Sequence, residues 1–128
     1  MKSQNKNDCI YLLWKNPKTG NKFVVAKLSS GNKYVFEYVG SVKEALKEGF
    51  MPLVAFNDIN KKYISNRLFA SFSSRVPDKR RKDIKKILDK YGMSEYDEYE
   101  LLKLSGGRLP IDNLEFIDGK LVKIVLEG

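Results

Sequence analysis

Between Lys79 and Lys90 the chain carries seven basic side chains: Lys79, Arg80, Arg81, Lys82, Lys85, Lys86 and Lys90. Groups of this type neutralise phosphate charge and release counterions, or dock on an acidic protein surface. Asp83 and Asp89 interrupt the run, so a solvated helix face accounts for it equally well. Directly afterwards come Glu95, Asp97, Glu98 and Glu100. Their order does not match the Asp-x-Asp-x-Asp-Gly loop that wraps calcium, and acidic residues are favoured in the first turn of a helix in any case. Gly106-Gly107-Arg108 lacks the spacing and the Lys-Ser/Thr pair of a phosphate-cradling loop, and it precedes a strand where such loops precede a helix. Two adjacent glycines suit a helix end and a close backbone approach.

The 128 residues include one cysteine, Cys9, and no histidine. Those two counts leave no zinc site of soft ligands, no thiol–imidazole pair and no serine–histidine triad within this chain. No arrangement of acid, base and nucleophile can be named, so the expectation is a non-enzymatic protein without a cofactor. A net charge of +8 favours acidic partners, whether protein or nucleic acid. Trp14 and the tyrosines have faces on which bases stack, but Trp14 lies in an apolar run and reads as core. The polar opening MKSQNKND has no apolar signal core, and no run approaches the ~20 apolar residues that span a bilayer. A lone thiol and no membrane segment give a cytoplasmic expectation.

The elements that position these groups follow from periodicity. Residues 1–8 read as a disordered tail, and 9–128 as one domain. Cys9–Lys15 and Lys22–Ser29 form strands around the Asn16–Asn21 turn, and Tyr34–Tyr38 forms a third. Ser41 and Glu44 have capping-box spacing at the start of a short helix that Gly49 ends. Phe50–Phe56 reads as an extended edge segment and 57–62 as a loop. Leu68, Phe69 and Phe72 mark one face of a short helix. From Pro77, with Asp78 near its positive end, a second helix buries Ile84, Ile87, Leu88 and Tyr91 and stops at Gly92, leaving the basic residues outward. A third, capped by Ser94 or Asp97, carries Tyr99, Leu101, Leu102 and Leu104 to Ser105-Gly106-Gly107. Asn113–Ile117 is a strand, Asp118-Gly119 a hairpin turn and Lys120–Leu126 its partner. The fold class is α+β, with an antiparallel sheet from N-terminal strands and a C-terminal hairpin packed on the central helices.

In series these motifs say more than they do singly. LFASFSSRVPDKRRKDIKKILDKYGMSEYDEYELLKLSGGRLPIDNLEFI, Leu68–Ile117, resembles the N-terminal domain of HipA-type toxin kinases. There a Leu-Phe-x-x-Phe helix, a Leu-Pro-Asp/Glu step with a basic residue, a short helix, an acidic Leu-Leu helix and a Gly-Gly turn into a strand follow one another. Upstream, Tyr34–Tyr38 and Pro52-Leu53 look like that domain's Phe-x-Tyr strand and Pro-Leu segment. Val76-Pro77-Asp78-Lys79 departs from the family's Leu-Pro-Glu-Gly. Gly106-Gly107-Arg108, with Asp112 and Leu114-Glu115-Phe116, looks more like bacterial relatives that accompany HIRAN domains, modules associated with DNA ends. The kinase core of the family is absent from this sequence. The resemblance therefore implies a HipS-like, free-standing domain that docks on a HipA-type serine/threonine kinase and restrains it. Lys79, Arg80, Arg81, Lys82, Lys85, Lys86 and Arg108 are the candidate contact residues. The alternative is a nucleic-acid accessory module binding DNA through the basic helix 79–90.

Overall fold

In a computed structural model, which describes residues 7–122, the chain builds one five-stranded antiparallel sheet with helices on one face. The strands are β1 (Asp8–Lys15), β2 (Lys22–Ser30), β3 (Tyr34–Tyr38), β4 (Tyr63–Ser65) and β5 (Leu114–Asp118), in spatial order β4-β3-β2-β1-β5. The helices are α1 (Val42–Lys47), α2 (Ala70–Ser73), α3 (Ile84–Lys90) and α4 (Glu98–Ser105). Asp8, read from the sequence as tail, begins β1, while residues 1–6 lie outside the described residues.

Side-chain alternation divides the sheet into two faces. Ile10 and Leu12 of β1, Ala26 and Leu28 of β2, Phe36 and Tyr38 of β3, and Leu114 and Phe116 of β5 turn to the helices. There they meet Val42 and Ala45 of α1, Phe72 of α2, and Tyr99 and Leu102 of α4. The centre is aromatic. The Phe72 ring lies 5.2 Å from Phe36, 5.4 Å from Phe56 and 5.0 Å from Phe116, spacings at which tilted and edge-on rings attract. Leu13, Val24 and Ile117 form a smaller cluster on the opposite face. An irregularity between Leu12 and Leu13 shifts the β1–β2 register, so that Leu13 faces Val24.

Four expectations are corrected. Phe50–Phe56 is no strand; its end winds into a 3-10 turn at Val54–Phe56, and the edge strand is Tyr63–Ser65. Burial explains the turn, because it drives Phe56 into the aromatic core. The capping box at Ser41 does not form, since the Ser41 hydroxyl donates to the Val24 carbonyl on β2 and so ties α1 to the sheet. The helix expected from Pro77 begins only at Ile84. Asp78 accepts from the Arg80 amide at 2.7 Å, a local bond that competes with helical pairing, and the Asp83 carboxylate is held by Arg81 and so makes no cap. Among the described residues no hairpin follows β5. The Asp118 carboxylate accepts from the Lys120 amide at 3.0 Å and opens a 3-10 turn at Gly119–Leu121, while β5 pairs with β1. Residues 123–126 of the expected last strand lie outside the described residues.

Other signals read as expected. Asp97 caps α4 by accepting from the Glu100 amide at 3.1 Å, and Gly106, at φ 83°, ends it. Because Phe72 contacts three other elements, Phe72→Ala is expected to cost about 3–5 kcal/mol by chemical denaturation. A loss below about 1 kcal/mol would show that this ring is not central to the core.

Candidate partner-binding surface

The basic run stands on the outside of this core. Lys79, Arg80, Arg81 and Lys82 lie in the turn before α3, and Lys85 and Lys86 on α3 itself; all six are exposed. Leu88 is the one buried residue of α3, and it belongs to neither core cluster. The segment thus lies outside both core clusters, with Leu88 packed inward and the six basic side chains exposed.

Local ion pairs divide its charges into two sets. Arg80 grips Asp78 with Nε at 3.1 Å and a terminal nitrogen at 3.0 Å, and Arg81 grips Asp83 at 2.8 and 2.9 Å. The Arg80 side chain holds the Asp78 carboxyl at about 2, and Arg81 holds Asp83 below the ordinary carboxylate value. Both pairs are solvent-exposed, so their value lies in shaping the turn more than in stability. Lys79, Lys82 and Lys85 make no ion pair among the described residues, Lys86 bears weakly on Asp83, and Lys90 lies 5.5 Å from the Tyr91 ring centre. The lysines, and not the arginines, are therefore the open charges of this surface.

Arg108 does not join them. It bonds Glu115 of β5 at 2.9 Å, beside the Gly106-Gly107 turn. That turn is closed by a residue that no motif in the sequence singles out. Arg75, its side chain only 9% exposed, donates to the Gly107 carbonyl at 2.9 Å and pairs with Asp112. Gly107, at φ 57°, leaves no room for a side chain, since a Cβ would fall 2.5 Å from Leu102 Cδ1. The partners are 32 and 37 residues apart in sequence, so no local spacing reveals them.

A second unforeseen constellation joins Asp8 of β1 to α4. The Asp8 carboxylate accepts from the Tyr99 hydroxyl at 2.8 Å and from Lys103 Nζ at 3.1 Å. Burial would raise the Asp8 pKa, but these two donors outweigh it and leave it lowered. Burial, and then the neighbouring Asp8, push the Tyr99 phenol well up, so it remains the proton donor. The acidic cluster has structural duties nearby: Asp97 caps α4, and Glu100 pairs with Lys103 at 3.2 Å. Among the described residues no group of three His, Cys, Asp or Glu side chains is placed to hold a metal ion. Trp14 packs on Phe23 and Phe50 with ring centres 5.9 and 5.6 Å away, which takes its faces out of the pool of base-stacking platforms.

No helix among the described residues is long and apolar enough to cross a membrane. No protein-family model, curated protein or solved structure matches the chain.

Two variants test this geometry. Arg75→Ala strands the Asp112 carboxylate and the Gly107 carbonyl, and should cost about 2–3 kcal/mol by urea denaturation; unchanged stability would refute the anchoring role. Asp8, with a native pKa below its ordinary value of 3.8, contributes stability that is fully present above that value and lost as pH falls through the native pKa. Asp8→Asn should therefore flatten the acid limb below pH 3.8, leaving the part due to Asp78 and Asp83. An unchanged acid limb would contradict the assignment.

Proposed function

We propose that this chain is a non-enzymatic, HipS-like protein-binding domain that docks on a HipA-type serine/threonine kinase and restrains it. The observation that carries the reading is the exposed segment 78–90. It is net positive, pre-shaped by two Asp–Arg forks, and presents lysines that make no ion pair among the described residues. The order of motifs from Leu68 to Ile117, which resembles the HipA N-terminal domain, supports a HipA-type kinase as the partner. Such a segment meets an acidic surface with complementary potential, and complementarity of this kind sets orientation and association rate. Restraint follows by occlusion, with the docked domain covering the path of nucleotide or substrate into the kinase. An accessible strand-free segment also keeps docking separate from folding, since its removal from water costs the core nothing.

The open lysines also favour a second reading, a DNA-associated module in which they contact phosphates. The two are separated by one set of variants. In the first reading the chain co-purifies with the HipA-type kinase encoded beside it and relieves its toxicity. Charge reversal at Lys79, Lys82, Lys85 and Lys86 should then weaken the complex by roughly tenfold or more. Failure to co-purify or to relieve toxicity would overturn it. In the second reading the same variants lower the salt dependence of DNA binding by about one unit of slope for each phosphate left without its lysine.

A further inference from the structure

The face of the sheet opposite α1, α2 and α4 carries a basin separate from the segment 78–90. Its volume is about 600 Å3, inside the range of small-molecule pockets, roughly 300–1,000 Å3. The floor comes from adjacent strands. Cys9, Ser29 and Val35 form one cross-strand row, and Lys27 lies in the next, between Tyr11 and Glu37. The β2–β3 turn supplies one wall with Ser30, Gly31, Asn32 and Lys33, and Gly119 and Lys120 after β5 supply the other. At Gly119 the backbone rests directly on β1, where a Cβ would stand 2.9 Å from Cys9 Sγ.

Charge in the basin is one-sided. Lys27, Lys33 and Lys120 all line it, and none makes an ion pair among the described residues. Two aspartates also border it, but alternation turns both toward the other face, Asp118 in the row of Ile10 and Asp8 in the row of Ser30. There Asp8 is engaged by Tyr99 and Lys103, and Asp118 by the Lys120 amide. Glu37, opposite Lys27, does not line the basin. Ser29 and Asn32 add neutral donors.

We infer that this basin binds a small ligand through a diphosphate group, with Lys27, Lys33 and Lys120 neutralising its charge and Ser29 and Asn32 donating to its oxygens. Three ammonium groups exceed what one carboxylate requires and match the multiple charges of a diphosphate.

Amide NMR titrations of the full chain at fixed ionic strength, with inorganic pyrophosphate and with ADP as probes, decide the matter. Saturable shifts at Ser29–Lys33 and Gly119–Lys120, without matching shifts at 79–86, support the site. Binding of both probes assigns the free diphosphate group as sufficient; binding of ADP alone assigns a nucleotide. The combined variant Lys27→Ala, Lys33→Ala, Lys120→Ala, all surface positions, should retain its spectrum elsewhere and bind at least roughly tenfold more weakly. Absence of binding by both probes, equal shifts at the basic turn 79–86, or undiminished binding by the folded variant would overturn the inference.

Discussion

The Phe72 ring is the contact on which the rest of the architecture depends. One short helix, α2, delivers it between Phe36 of β3, Phe56 of the 3-10 turn and Phe116 of β5, three pieces far apart in sequence. Fixing that ring fixes the distance between the sheet and everything laid over it. It also explains why the chain tolerates a four-residue helix at all, because so short a helix has no stability of its own and is held by packing. Arg75, three residues on, uses the position α2 provides to tie down the Gly106-Gly107 turn, and that turn's Gly106 carbonyl in turn accepts from the Phe116 amide at 2.8 Å. Aromatic centre, part-buried ion pair and β5 are thus one connected unit, with α4 closing it from the side through Leu102.

What this unit leaves out is as informative as what it encloses. Between Asp78 and Lys90 only Leu88 is buried, and order there comes from short-range pairs between neighbours. A segment of that kind changes its surface chemistry at little cost to the core. The opposite face of the sheet is different again: its small aliphatic cluster of Leu13, Val24 and Ile117 gives way, toward the β2–β3 turn, to lysines and hydroxyls. The molecule therefore presents two basic surfaces, the exposed segment 78–90 and the concave basin. They suit different partners, a macromolecular surface and a small anion.

Much of this order can be read from the residues, and the failures have physical causes. Strands β1 to β3 are signalled by apolar alternation and by turns with Pro and Gly, and α4 by Asp97 before it and Gly106 after it. These signals are local, so they survive without tertiary information. Phe50–Phe56 misleads because its apolar residues suit a strand equally well, and only the pull of Phe56 into the aromatic centre decides for a turn. Ser41 misleads because its hydroxyl is turned to the Val24 carbonyl on a neighbouring strand and makes no bond to the first turn of α1. The basic run looks helical throughout until Asp78 and Asp83 are seen to be engaged by Arg80 and Arg81. Of the candidate contact residues, Lys79, Lys82, Lys85 and Lys86 remain open, Arg80 and Arg81 shape the turn, and Arg108 belongs with Glu115. Arg75 and Asp8 leave no local trace, since their partners are brought to them only by the fold.

The proposal that segment 78–90 is the docking surface is open to one direct measurement: hydrogen–deuterium exchange of the chain alone and in the presence of the HipA-type kinase proposed as its partner. Docking through this segment predicts that amides from Lys79 to Lys90 gain protection in the complex, while those of β1, β2 and β3, already bonded within the sheet, change little. Protection confined to other surfaces, with 79–90 exchanging as in the free chain, would contradict it.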